Sequence, residues 1–193
     1  QLLAVQPARE LATNSIDQLA ARSRWRFVAI EPGEDVDGSI LPGGGQPADA
    51  VGARRRQRQV DLADAESAEA ALIDALDART RILSVSAVQY GTGLRLDLPR
   101  LGAACRERGV LFCVDAIQAI GAIQFDVQAC QADFVMADGH KWMLGPEGLA
   151  LFYCRHAVMD QLTLRQYGWH MLEDYQDFDS HTRTVAHTAR RFE

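Results

Sequence analysis

VLFCVDAIQAIGAIQFDVQACQADFVMADGHKWMLGPEG, residues 110–148, contains two apolar runs that each end on reactive side chains. The first, VLFCV, is apolar, β-branched or aromatic, with Gly109 before it and Asp115 directly after it. A short continuous run of this kind predicts a strand buried on both faces. The second run, residues 134–137, ends on Asp138, Gly139, His140 and Lys141. In open parallel sheets ligands collect beyond the carboxyl ends of the strands, so an acid and a lysine at two such ends predict a site.

Working outward, residues 81–88 (RILSVSAV) predict a further strand, with Gln89 to Gly93 as the loop at its carboxyl end. Asp97 then predicts a helix cap, with Pro99 in the first turn, Leu98, Leu101 and Cys105 on the inner face, and Gly109 as the stop. Strand, loop, helix and strand in this order make a parallel βαβ unit with a right-handed crossover. Upstream, DAESAEAALIDALDA from residue 64 places Ala68, Leu72, Ile73 and Leu76 at helical spacing, with acids in the first turn. Downstream, GLALFYC over residues 148–154 predicts a strand antiparallel to the one before Lys141, because only a short loop separates them. Past Tyr167 the pattern predicts irregular structure lying across the domain.

An amine and a carboxylate delivered to one sheet edge suit an aldehyde cofactor: the lysine forms a Schiff base, and the acid keeps a ring nitrogen protonated so that the ring draws in electrons. VDAIQ followed by GHKWMLGPEG at this separation resembles the pyridoxal 5'-phosphate region of the class V aminotransferases, which include the cysteine desulfurases. The resemblance covers residues 61–193 and is strongest over 84–154. It implies the large domain of the aspartate-aminotransferase (fold type I) superfamily: an α/β fold with a mostly parallel sheet sandwiched by helices. It implies that Lys141 carries the cofactor as a Schiff base, that Asp115 pairs with the pyridine nitrogen, that Gln118 bonds the ring's phenolic oxygen, and that His140 sits beside the cofactor near its phosphate. The expected function is pyridoxal-phosphate chemistry on a small amino-acid substrate, by transamination, desulfuration or another elimination, in a homodimer.

Each of these residues has a plainer competing role. Lys141 as an exposed loop lysine would need no explanation, but His140 and Trp142 flank it between two apolar runs, where lysine is rare. Asp115 could simply cap the following turn. Against a pyridinium its carboxylate would instead contribute about 1.5–3 kcal/mol. One helical turn beginning at Asp115 puts Gln118 on the same face, three residues on. His140 could stack on a ring, hold a phosphate or satisfy a backbone carbonyl. Asp138 departs from the family pattern, in which many relatives carry a phosphate-binding serine; a carboxylate there would repel the phosphate unless it turns away or pairs with a cation. Gln89 and Thr92 are weaker candidates for lining the site.

Residues 1–60 match the family poorly. Residues 1–21, with Leu11, Ile16 and Leu19, predict a mildly amphipathic helix, and WRFVAI at 25–30 predicts a strand. Glycines and prolines interrupt residues 31–49, and Arg54, Arg55, Arg56 and Arg58 read as a solvated loop in preference to a phosphate patch. This segment is expected to be divergent or to derive from a shifted reading frame. In the family, the segment resembling Arg191-Phe192-Glu193 leads into a stretch that contacts a neighbouring subunit's cofactor, and then into a small domain with an arginine for the substrate carboxylate. Neither lies within these 193 residues, so the expectation is part of a longer enzyme with its C-terminal small domain absent. A truncated, non-catalytic remnant with weak or no cofactor binding is the competing expectation.

The composition, 48% hydrophobic and 24% charged, is that of an ordinary globular protein. A net charge of −6 makes no broad electrostatic case for nucleic acid, and no apolar run reaches the ~20 residues of a membrane helix. Cys105, Cys113, Cys130 and Cys154 lie in apolar segments without CxxC spacing, predicting buried thiols and a cytoplasmic setting. No metal motif is present: the five histidines include no HExxH, and residues 35–38 lack the remaining calcium ligands. Gly91-Thr92-Gly93 is no dinucleotide loop, since Leu96 stands at the third glycine position.

Overall fold

The computed structural model describes residues 67–164, 167–179, 181 and 183–193, with the backbone of Leu3–Ala4, Arg26–Ala29 and Arg56–Gln59. In chain order the elements are β1 (Leu3–Ala4), β2 (Arg26–Ala29), β3 (Arg56–Gln59), α1 (Ala68–Ala75), β4 (Thr80–Ser86) and α2 (Leu98–Arg108). There follow β5 (Leu111–Asp115), β6 (Phe134–Asp138), β7 (Ala150–Cys154), α3 (His156–Met159) and a 3-10 turn, Ala189–Phe192. The strands form one sheet in the order β1-β7-β6-β5-β4-β2-β3. From β3 across to β6 every pairing is parallel, whereas β7 runs antiparallel to β6 and β1 antiparallel to β7. The expected mostly parallel α/β sheet and the antiparallel strand after the lysine loop are both present.

Period-two alternation divides the core between the two faces of the sheet. Leu83 and Val85 of β4, Phe112 and Val114 of β5, and Val135 and Ala137 of β6 join one cluster with Leu72 of α1 and Leu101 and Cys105 of α2. Ile82, Cys113 and Phe134, on the opposite face, join Phe152, Cys154 and the α3 residues Val158 and Met159. The parallel strands are therefore buried on both sides, which is why they read as continuous apolar runs.

The helix signals act locally. Asp97 Oδ1 accepts from Arg100 N at 3.1 Å, Pro99 falls in the first turn, and Gly109 ends α2 at φ +65°. At α1, Ser67 Oγ accepts from Ala70 N at 3.3 Å and caps the helix that starts at Ala68. Glu69 Oε1 accepts from Asp97 N at 2.8 Å, tying the two helix starts together and holding the Glu69 carboxyl below the usual carboxylate range.

Three expectations need correction. Leu3–Ala4 is strand, paired with β7, where a helix was predicted; other residues of that stretch lie outside those described. The backbone of Arg56–Gln59, read as loop, is strand β3, paired in parallel with β2, since backbone pairing overrides a weak side-chain pattern. The predicted strand over 81–88 ends at Ser86, and Val88 instead pairs with Arg95 across a small hairpin. The predicted strand at 25–30 is present as β2, and the described residues past Tyr167 are irregular apart from the closing 3-10 turn and a Leu172–Val185 bridge.

Candidate active site

β5 and β6 are parallel neighbours, so Asp115 and Asp138 end at the same edge of the sheet. Register extends the picture. Ser86 lies opposite Asp115, Ser84 opposite Cys113, and Asp115 opposite Met136. By alternation Ser84, Ser86, Asp115, Met136 and Asp138 share the face of Ile82, Cys113 and Phe134. All five are half-buried, while the amino-terminal part of that face is closed by the aromatic and α3 residues. A polar, half-open row therefore sits at the carboxyl end of a face that is otherwise apolar.

Asp115 Oδ1 accepts from Ile117 N at 3.0 Å, so the carboxylate does cap the turn that follows it. The turn is held by Ala119 N and Ile120 N donating to Ala116 O at 2.9 and 3.0 Å. After β6 the chain closes a compact loop. Gly139 N donates to Leu149 O at 2.7 Å, Gly145 N to Gly139 O at 2.8 Å, and Leu144 N to Lys141 O at 3.0 Å. A Cβ at Gly139 would stand 3.1 Å from Leu149 O, and one at Gly145 would stand 3.1 Å from Gly139 O, so the chain crosses itself closely at both glycines. Lys141 and Gln118 are half-buried, and His140 is exposed.

Two contacts bring these loops together. Trp142 Nε1 donates to Gln118 Oε1 at 3.0 Å. A Cβ at Gly121 would lie 2.4 Å from Trp142 O, and Gly121 adopts φ +91°. The turn carrying Asp115 and Gln118 thus abuts the loop carrying His140 and Lys141. Because indole N–H can only donate, it assigns the Gln118 oxygen to Trp142 and leaves the Gln118 NH₂ for another acceptor. Beside them the hairpin after β4 buries Gln89, whose Nε2 has no hydrogen-bond partner among the described residues. A buried amide donor without a partner is costly, so Gln89 Nε2 calls for an acceptor from outside the described residues.

An amine, a carboxylate and two amides are thus carried on neighbouring strand ends, and these are group types that could hold an aldehyde-bearing heteroaromatic cofactor. The sequence reading passed over Trp142 as a positioning group and over Ser84 and Ser86. The serines could have been found by counting back in steps of two from the sheet register, and Trp142 by asking what orients Gln118. The four cysteines are all buried and unpaired. Burial pushes the thiols of Cys105, Cys113 and Cys154 up to about 12 and also raises that of Cys130. None of the four is an activated nucleophile.

The family described as Aminotransferase class-V matches residues 50–193. A probable cysteine desulfurase of Methanothermobacter thermautotrophicus is 35% identical over 115 residues, which cover 56% of this chain and 29% of the relative. Two solved structures align over 100% of the chain. The apo cysteine desulfurase of Thermococcus onnurineus NA1 has a TM-score of 0.76 at 19% identity, with 46% of its own chain covered. A mutant of C-DES with glycine covalently linked to its PLP cofactor has a TM-score of 0.82 at 20% identity, with 50% covered. The chain thus spans less than a third of that curated relative and at most half of these solved chains. The fold is part of the fold type I large domain, and pyridoxal phosphate is the cofactor expected of such a family. The chain belongs to the class V aminotransferase family.

Proposed function

We propose that this chain supplies the cofactor-binding part of a pyridoxal-phosphate-dependent enzyme that acts on an amino acid, with cysteine desulfurase-like chemistry as the nearest class. The Trp142–Gln118 hydrogen bond carries the reading, because it joins the Asp115 turn to the Lys141 loop. When bound, the cofactor supplies an aldehyde for an amine to capture and a ring that accepts electrons. Lys141 Nζ would be the amine that holds the cofactor and would serve as the base that moves the substrate's α-proton. Asp115 holds a proton at the ring nitrogen while its Oδ1 keeps the turn capped. The Gln118 NH₂, which the indole does not use, would bond the ring's phenolic oxygen, and His140 would sit beside the cofactor near its phosphate. Gln89 Nε2 gains the acceptor it lacks.

If the parent enzyme removes sulfur from cysteine, the attacking thiol lies outside this chain, because its own four thiols are buried. Homodimer assembly and a cytoplasmic setting belong to the same proposal and rest on the family resemblance. No helix among the described residues is long and apolar enough to cross a membrane.

The test is covalent attachment. Purified protein mixed with pyridoxal phosphate and reduced with borohydride should carry the added mass on the peptide containing Lys141, and Lys141→Ala should lose it. Attachment elsewhere, or none, would leave the non-catalytic remnant as the better account.

A further inference from the structure

Behind the hairpin that follows β4 lies a half-open cleft of about 230 Å³ that has no part in the proposed chemistry. One wall is the hairpin itself, closed by Gln89 N to Leu94 O at 2.9 Å and Leu96 N to Ala87 O at 3.1 Å. The other is the turn after Ile123, where Asp126 Oδ1 accepts from Gln128 N and Ala129 N at 2.8 and 3.1 Å. The floor is apolar, from Leu96, Leu98, Ile123, Phe125 and Ala129. Three polar side chains share the lining: Arg95, Asp126 and Gln124. Beyond its backbone bridge to Val88, Arg95 makes no hydrogen bond or ion pair through its guanidinium among the described residues, nor does the Gln124 amide, and Asp126 uses only Oδ1.

We propose that this cleft binds a free α-amino acid with an aliphatic side chain, at a site separate from the cofactor edge. A lone cation would suit any carboxylate, and a lone anion any amine. With both on the rim of an apolar floor, the complementary ligand is a zwitterion carrying a hydrocarbon tail. Arg95 takes the carboxylate, for which its planar fork is shaped, Asp126 takes the ammonium, and Gln124 can donate to the carboxylate. The cleft has room for roughly seven water-sized groups, which suits a molecule the size of leucine. Apolar walls with a few convergent polar groups are the usual make-up of small-molecule sites. One wall also touches the cofactor side, since Ala87 N donates to Asp115 O at 2.8 Å.

Calorimetric titration of the purified protein with L-leucine tests this. Saturable binding is expected with a dissociation constant on the order of 1 mM. Arg95→Gln and Asp126→Asn should each weaken it about tenfold; the asparagine keeps the Oδ1 acceptor and hence the turn. Ala129→Phe should fill the cleft and abolish binding, while Lys141→Ala should leave it unchanged. 4-Methylpentanoate and 3-methylbutylamine, each lacking one charge, should bind at least about tenfold more weakly. Absence of saturation, indifference to Arg95→Gln and Ala129→Phe, loss on Lys141→Ala, or equal binding of 4-methylpentanoate would each overturn the proposal.

Discussion

Gln118 and Trp142, separated by 24 positions in the chain, share a 3.0 Å hydrogen bond between amide oxygen and indole nitrogen. This bond sets which end of the Gln118 amide faces the strand edge, and it fixes the distance between the two loops that bear Asp115 and Lys141. Trp142 keeps half its surface exposed while doing so.

Trp142→Phe keeps the ring and removes only the N–H. Its stability cost should be small, about 1 kcal/mol. With the amide free to flip, affinity for pyridoxal phosphate should fall about fivefold. Equilibrium titration monitored by absorbance measures it, and unchanged affinity would show that the indole does not orient Gln118.

Gly121→Ala should be far more damaging than a surface substitution. The new methyl would meet Trp142 O at 2.4 Å, and the backbone sits at φ +91°. Both must relax, at a combined cost of about 2–4 kcal/mol. Thermal unfolding should show the loss, and cofactor binding should weaken with it because the loops are pushed apart.

Asp133 anchors the other end of β6. It is buried, accepting from Phe112 N at 2.8 Å and from Arg155 Nε at 2.6 Å. Asp133→Asn removes the charge and leaves one acceptor where both oxygens now accept, while the Arg155 side chain is 30% exposed and so partly solvated. A loss of about 2 kcal/mol is expected, below the range for a fully buried pair. Denaturant midpoints would reveal it, with cofactor attachment at Lys141 unchanged in the folded fraction.

The cysteines give a pH prediction. For Cys105, Cys113 and Cys154, burial pushes the folded thiol from its ordinary value near 9 up to about 12. The native state therefore holds these protons after the unfolded chain has released them. The resulting sign is loss of stability as pH rises from about 9 towards 12, with no contribution below the unfolded value. Melting temperatures across that range should decline, more steeply than in a triple Cys→Ala variant corrected for its lower baseline. Native alkylation near pH 8 should also be slow at all three thiols.

Much of the fold was legible because its signals are local. An apolar pentad bounded by Gly109 and Asp115 reads as a buried strand whatever lies beside it, and Asp97, Pro99 and Gly109 start and stop α2 through groups within a turn of themselves. Arg56–Gln59 and Leu3–Ala4 were misread for the converse reason. Their strand state comes from pairing with β2 and β7, and side-chain pattern says little about a short segment held by backbone bonds to a distant partner. In the candidate site, Asp115 and Lys141 were recognisable as the residues that end two apolar runs. Gln89 was only a weak candidate, because an amide in a loop reveals nothing about burial until the hairpin closes over it.

By itself the sequence determined the kinds of element from α1 to β7, the residues at the ends of β5 and β6, and the family those residues resemble. These follow from side-chain chemistry and spacing within a few positions of one another. Only the tertiary structure decided that the turn after β5 abuts the loop after β6, which end of the Gln118 amide is free, and that Gly121 tolerates no methyl group. Those depend on atoms that meet across 20 or more residues of chain, where hydrogen bonding and steric exclusion act through space and leave no periodicity to read.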